Sequence, residues 1–328
     1  MKQFFTIILF LFCISFLQGQ KNLQKYYQFI NKAELAICDL KYEKASELYE
    51  KAFKEHTPFI NDLFIATNIN VKFTKKYNLS LNYAQILLQR DFEIGWIYRD
   101  IAPNDSLIAK QFKILEDTVR SLTNKNLKII FEEMLVEDQK KANTPQEMYD
   151  KSEVYHTNFV KLFDLFNEYG SITEQKIGIY EYSPIHIILI HCAQNQMSPQ
   201  ELLLIHLLNG DVYVKNYMKY YDLYLEYINK PTIYYYGWRN LFIANDVLFI
   251  NYPEDIEKFN EERQKINMSE TWEDYLKKVK YQFLHKNFQF YNIVKTSYEE
   301  TELQKIIQEI DQEHQKGIYK REYIRREK

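Results

Sequence analysis

Apolar residues recur at spacings of three and four along most of the chain, the period of an amphipathic helix. The densest apolar run after the N-terminus is Ser183 to Asp222, and it carries its own punctuation. Ser183-Pro184 and Ser198-Pro199 read as helix starts. In each a cap residue precedes a proline at the first helical position, where the missing N–H costs nothing. Glu201 stands three residues after Ser198 and predicts a capping box. Asn209-Gly210 reads as a stop, because glycine takes the left-handed conformation that closes a helix. Two short apolar helices and a longer tyrosine-rich one are therefore expected at the centre of a helical core.

The same period organises the flanks. Over residues 24 to 56, Ala33 and Ala36 fall in a first helix, Tyr42 opens a second, and Ala45, Tyr49 and Ala52 run along it. Small residues suit a close helix crossing, and the spacing resembles the tetratricopeptide repeat, whose period is about 34 residues. A shift of 35 positions carries Tyr42, Ala45, Tyr49 and Ala52 onto Tyr77, Ser80, Ala84 and Leu87. Residues 91 to 110 hold Gly95, Pro103 and Asn104-Asp105-Ser106 and read as a linker. Helical period returns from Leu107 to Lys141. Thr144-Pro145 with Glu147 starts a further helix that Gly170 ends.

Ile172 to Tyr182 lacks a helical period and reads as a loop or short hairpin around Gly178; Thr232 to Ile250 is mixed, with a turn at Gly237. Ser269 is read as a cap, with helices over 270–283 and 298–315. The basic end, KGIYKREYIRREK, reads as a frayed, solvated helix terminus. The expected class is all-α: repeat-like N-terminal hairpins packed on a helical domain, with room for one small β-hairpin near 172–182 or 232–237. The expected divisions are a signal peptide over 1–19, hairpins over 20–106, a helical domain over 107–250 and a C-terminal extension over 251–328.

Composition supports this picture. Seven glycines and seven prolines in 328 residues leave few turns, which disfavours a many-stranded fold. The 28 tyrosines and 22 phenylalanines rise together with Lys, Asn and Ile, as an AT-rich coding sequence would produce, so they do not by themselves announce a stacking surface. Lys2, the apolar stretch Phe4 to Leu17 and the small Gly19 have the layout of a secretory leader, too short and wrongly flanked for a spanning helix. A periplasmic or secreted protein is expected, without stable membrane insertion once the leader is cut. The net charge of −3 argues against a general nucleic-acid binder. Cys38 and Cys192 would remain in such a chain and are read as buried free thiols.

Glycine-rich phosphate loops, G-x-S-x-G, H-E-x-x-H and C-x-x-C are all absent from the sequence, which excludes the motif-rich nucleotide and zinc-protease classes. Nothing calls for a cofactor or a metal. His186 and His191, five apart on one helix, point roughly 140° away from each other and cannot share a ligand. His191 with Asp138 and Asp222 is the candidate catalytic group, an imidazole between carboxylates that could act as a general base. Gln139, Tyr217 and Tyr236 are the candidate binding residues.

The order Asp138-Gln139, Asn158, Gly170, Gly178, His191, Asp222 and Tyr236-Gly237 resembles a domain of unknown function in exported proteins of Gram-negative bacteria. The resemblance covers roughly 120 to 245. Ile190-His191-Cys192 stands where that family has Gln-His-Ala. Lys140, Lys141 and Ala142 stand where it has an arginine. It implies no reaction. The reading that follows is a helical module that binds a protein or peptide through its N-terminal hairpins. A hydrolase or metal-dependent enzyme built on His191, Asp138 and Asp222 is the alternative.

Overall fold

The computed structural model describes residues 2–101, 105–140, 145–179, 183–228, 241–285, 288–291, 294–316, 318 and 320–326. Helix α1 (Lys2–Cys38) runs without a break through Gly19, and α2 (Tyr42–Glu55) folds back on it. The turn between them places Leu40 at φ 59°. Its backbone bonds, Lys41 N to Ala36 O at 2.8 Å and Leu40 N to Ile37 O at 2.9 Å, form the paired Schellman closure. Ala33, Ala36, Ala45 and Ala52 are all buried where the two helices cross. Among the described residues no helix is long and apolar enough to cross a membrane.

The second hairpin follows as α3 (Ile60–Ile69), a π-helical turn over Asn70–Thr74, and α4 (Tyr77–Gln89). The 35-residue shift carries buried positions onto buried positions: Ala45 onto Ser80, Tyr49 onto Ala84, Ala52 onto Leu87. The stretch expected as a linker contains a short helix, α5 (Gly95–Ile101), with Ile94, Ile97 and Ile101 in the core. These apolar residues at helical spacing outweigh the turn formers around them. Asp105 then caps α6 (Ser106–Thr118) by accepting from Ile108 N at 3.0 Å.

Five more helices and one short turn of helix build the centre: α7 (Lys125–Asp138), α8 (Pro145–Tyr169), α9 (Glu174–Ile177), α10 (Pro184–Gln194), α11 (Pro199–Leu208) and α12 (Val214–Tyr227). Among the described residues of the expected 172–182 hairpin no strand forms, and α9 occupies Glu174–Ile177. Its polar groups are taken by distant elements. Lys176 O accepts from Asn124 N at 2.6 Å, and the Glu174 carboxylate accepts from Ile60 N at 2.6 Å, capping α3 from outside. Ser183 caps α10 as expected, accepting from His186 N. Ser198 opens α11 with no side-chain cap bond, so the expected capping box does not form; the Glu201 N–H bonds the Ser198 carbonyl instead. One apolar cluster runs from Leu23 to Phe290 and joins all these helices.

The β structure lies elsewhere. Strands β1 (Leu241–Ala244) and β2 (Val247–Asn251) form a hairpin across Asn245-Asp246, whose φ values of 47° and 65° are those of a tight two-residue turn. Helices α13 (Ile256–Lys265) and α14 (Trp272–His285), strand β3 (Val294–Thr296), helix α15 (Glu300–Gln315) and strand β4 (Arg321–Arg325) complete the chain. The sheet order is β3-β1-β2-β4, with β3 parallel to β1 and the other pairs antiparallel.

Both faces of the sheet are covered: Leu248 and Ile250 meet Trp272 and Val279, while Val247 and Phe249 meet Leu303 and Ile307. A strand covered on both sides reads as an unbroken apolar run, as VLFI does. The basic end is thus no frayed helix, because β4 closes the sheet against β2. Its charges are paired there, Arg321 with Glu313 at 2.5 Å and Glu322 with Lys280 at 3.0 Å. The cap of α14 is Thr271, whose hydroxyl accepts from Asp274 N at 3.2 Å, and not Ser269. The alternative hairpin position 232–237 lies outside the described residues.

Candidate functional site

Helices α7, α8 and α10 meet at Asp138, the last residue of α7, which is wholly buried. Its Oδ2 accepts from His191 Nδ1 at 2.5 Å and from Gln139 Nε2 at 2.8 Å; its Oδ1 accepts from Asn158 Nδ2 at 3.5 Å. The His191 side chain keeps 24% of its surface in solvent while its Nδ1 is turned to Asp138. Tyr155 packs beside that ring at 5.4 Å, and Asn195 Nδ2 bonds the His191 carbonyl at 2.8 Å. Burial pushes the thiol of Cys192 next door up to about 12, which disfavours the reactive thiolate.

The structure thus joins Asp138, Gln139, Asn158 and His191. Asp222 is buried on α12, and its charge acts on Tyr217 and Tyr275. Tyr217 is itself buried, stacked on Tyr221 at 5.8 Å. Tyr236 lies outside the described residues. His186 bonds the Tyr220 hydroxyl at 2.6 Å and Lys219 Nζ at 3.0 Å, and burial, reinforced by Lys219, brings its pKa down to about 3. Cys38 and Cys192 are both free, Cys192 buried and Cys38 partly so. Among the described residues no group of three or more histidine, cysteine or carboxylate side chains is placed to hold a metal ion.

A second constellation was not singled out in the sequence. Glu34 on α1 and Lys278 on α14, each 1% exposed, pair at 2.6 Å. Lys278 also meets Glu270 at 2.5 Å, Glu270 pairs with the fully buried Arg263, and Glu34 pairs with Lys215 at 2.7 Å. Arg263, Glu270, Lys278, Glu34 and Lys215 thus alternate in sign through the interior. Burial opposes ionisation of Glu270, but Lys278 and Arg263 outweigh it and bring its carboxyl down to about 2. Asp62 lies close by. It accepts from the Tyr26 and Tyr213 hydroxyls at 2.5 and 2.9 Å, and burial lifts it to about 6, with Lys215 opposing and Glu34 reinforcing the rise.

The Lys215 end of this chain reaches a cavity of about 200 Å³. Three distant stretches give most of its wall: Ile60, Asn61 and Phe64 of α3, the start of α12 from its cap Tyr213 to Lys219, and Gln289 to Tyr291 before β3. Two aromatic pairs face it edge to face, Phe64 with Phe92 at 5.5 Å and Tyr275 with Tyr291 at 4.8 Å. Lys215 is held by Glu34 and by the Phe290 carbonyl at 3.1 Å, with its ammonium 4.4 Å from the Tyr291 ring centre. The polar groups left to a ligand are neutral. Asn61 donates to the Tyr213 hydroxyl at 3.4 Å and keeps its oxygen, while the Asn216 side-chain amide bonds no described residue. Partly buried asparagines, Asn61 in α3 and Asn216 in the tyrosine-rich α12, carry no sequence signal for such a wall. No protein-family model, no curated protein and no solved structure matches the chain.

Proposed function

We propose that this is an exported helical module that binds a peptide or protein partner, gripped at the cavity between α3, α12 and Tyr291. The observation that carries the reading is the Asn216 amide on the cavity wall. A primary amide offers one acceptor and two donors without charge, which matches the C=O and N–H of a peptide group. The aromatic pairs supply the apolar area that such sites bury. The burial repeat between the two N-terminal hairpins supports a tetratricopeptide-like scaffold behind one wall. Selection from a display library of random peptides on the purified protein tests this. Enriched sequences that share a motif and lose binding to Asn216→Ala are expected. Repeated selections with no enrichment would overturn it. The leader reading supports a periplasmic or secreted location, and N-terminal sequencing of protein recovered from cells should then begin near residue 20.

A catalytic reading is favoured by one observation, the 2.5 Å contact between the buried Asp138 and a His191 side chain that is 24% exposed. It would use the pair and not Asp222. Ester hydrolysis lost in His191→Gln and kept in Asp222→Asn would move the assignment to a hydrolase.

A further inference from the structure

We infer that the cavity takes a single aromatic side chain, phenyl to indole in size, from a peptide whose main chain crosses Asn61 and Asn216. The inference rests on the peptide-binding reading above and names what enters the site. Volume decides the size of the occupant. An engineered cavity of about 150 Å³ holds benzene, whereas sites for drug-sized ligands run about 300–1,000 Å³. At about 200 Å³ this cavity exceeds the first and falls short of the second, so one ring fits and a nucleotide or a flavin does not.

The walls decide the chemistry. Two edge-to-face ring pairs leave faces and edges at the spacings aromatic rings prefer, which favours a ring over a branched aliphatic chain of equal area. The ammonium groups of Lys215 and Lys219 on the wall repel a lysine or arginine side chain. Glu174, the wall's carboxylate, is committed to the Ile60 N–H and lies 3.9 Å from Arg90. An acidic side chain fares little better than a basic one, because Lys215 already holds Glu34 and a backbone carbonyl. A neutral ring with an amide on either side satisfies every group.

The test titrates the full-length protein with N-acetyl amino-acid amides of Phe, Trp, Leu and Lys, and with toluene, followed by ligand-observed saturation-transfer NMR. The capped Phe and Trp amides should bind, the Leu amide about three-fold more weakly or less, and the Lys amide not at all. Asn216→Ala should weaken the Phe amide about five-fold, one hydrogen bond's worth, and leave toluene unchanged. Met218→Trp, which fills the cavity from the α12 wall, should abolish both. If that variant fails to fold, the Asn216→Ala comparison decides alone.

Equal binding of toluene and the Phe amide, both indifferent to Asn216→Ala, would overturn the inference in favour of a small apolar ligand. Failure of every capped amide while display still yields binding peptides would refute the aromatic anchor and leave the peptide reading standing. Failure of both would sink the two together.

Discussion

Removal of one charge at a time from the buried chain Arg263–Glu270–Lys278–Glu34–Lys215 should cost stability in an order set by what each deletion strands. Lys278→Met takes out the middle cation and leaves two neutral pairs, Arg263 with Glu270 and Glu34 with Lys215. Methionine also follows the lysine stem through its apolar path. Glu270→Gln instead takes away the carboxylate that the wholly buried Arg263 side chain shares with Lys278 and with the Tyr291 hydroxyl.

Breaking a buried pair by deleting one partner costs roughly 3–5 kcal/mol, because an uncompensated charge remains. That figure applies to Glu270→Gln, while Lys278→Met should cost about 1–2 kcal/mol, the share left once its partners re-pair. Glu34→Gln should fall between, since the cation it strands, Lys215, keeps 13% of its side chain exposed at the cavity. Urea unfolding followed by circular dichroism at pH 7 gives the three values. The pH series adds an independent check. The Glu270 carboxyl, down at about 2 in the fold against about 4.3 unfolded, contributes stability above pH ~4.3 that is lost as pH falls toward 2, about 3 kcal/mol in all. Glu270→Gln should lack that acid slope. A Lys278→Met variant as unstable as Glu270→Gln would show that stranded charge does not govern this interior.

Asp62 carries the opposite sign: its folded pKa near 6 lies above the unfolded value, so its contribution is full at low pH and declines as pH rises from about 4 to 6, by about 3 kcal/mol in total. Asp62→Asn should remove that decline, and wild-type and variant melting curves running parallel over pH 4–7 would contradict it. Leu40→Gly should stabilise by roughly 0.5–1 kcal/mol, since a 59% exposed leucine at φ 59° buries little and bears left-handed strain; denaturant midpoints measure it. Gly178→Ala should destabilise by about 1–3 kcal/mol, because φ is 81° and a Cβ would stand 2.6 Å from the Arg90 carbonyl oxygen. Asp138→Ala should cost about 1–3 kcal/mol by leaving the buried Asn158 amide unpaired, and should change the ¹⁵N shift of His191 Nδ1.

The helices were legible because their apolar spacing is local, and so was the Ser183 cap. The turns were harder. Glycine marks a helix stop at Gly210, yet Leu40, Asp91, Gln196 and Asn267 close helices in the same left-handed conformation without it. In each, the two Schellman backbone bonds and the packing of the following residue outweigh a side-chain penalty of about 1–2 kcal/mol. A chain this poor in glycine hides its turns from a reading that searches for glycine. The sheet was hidden for a related reason. Asn245-Asp246 between LFIA and VLFI is a two-residue hairpin signal, but four-residue apolar runs fit a buried helix segment equally well, and only β4, some 75 residues on, completes the pairing.

The candidate sites divide along the same line. Asp138 and His191 meet across 53 positions, and their partnership rests on a buried carboxylate at a helix end, which the order of residues could suggest. Asp222 is buried on α12, where its charge acts on Tyr217 and Tyr275. The charge chain and the cavity depend on longer reach, with Glu34 and Lys278 separated by 244 positions. One local trace was nevertheless there to read. Glu34 lies between Ala33 and Ile37 on a buried helical face, and Lys278 lies between Tyr275 and Val279 on another. A lone charge on an apolar stripe is costly unless it is paired, so two such residues of opposite sign imply each other's presence before any coordinates are known. Their pairing joins the first helix to the fourteenth. With α12 bonded to Glu34 through Lys215 and Tyr291 bonded to Glu270, two of the three stretches that wall the cavity are held by charges that, apart from Lys215, do not themselves line it.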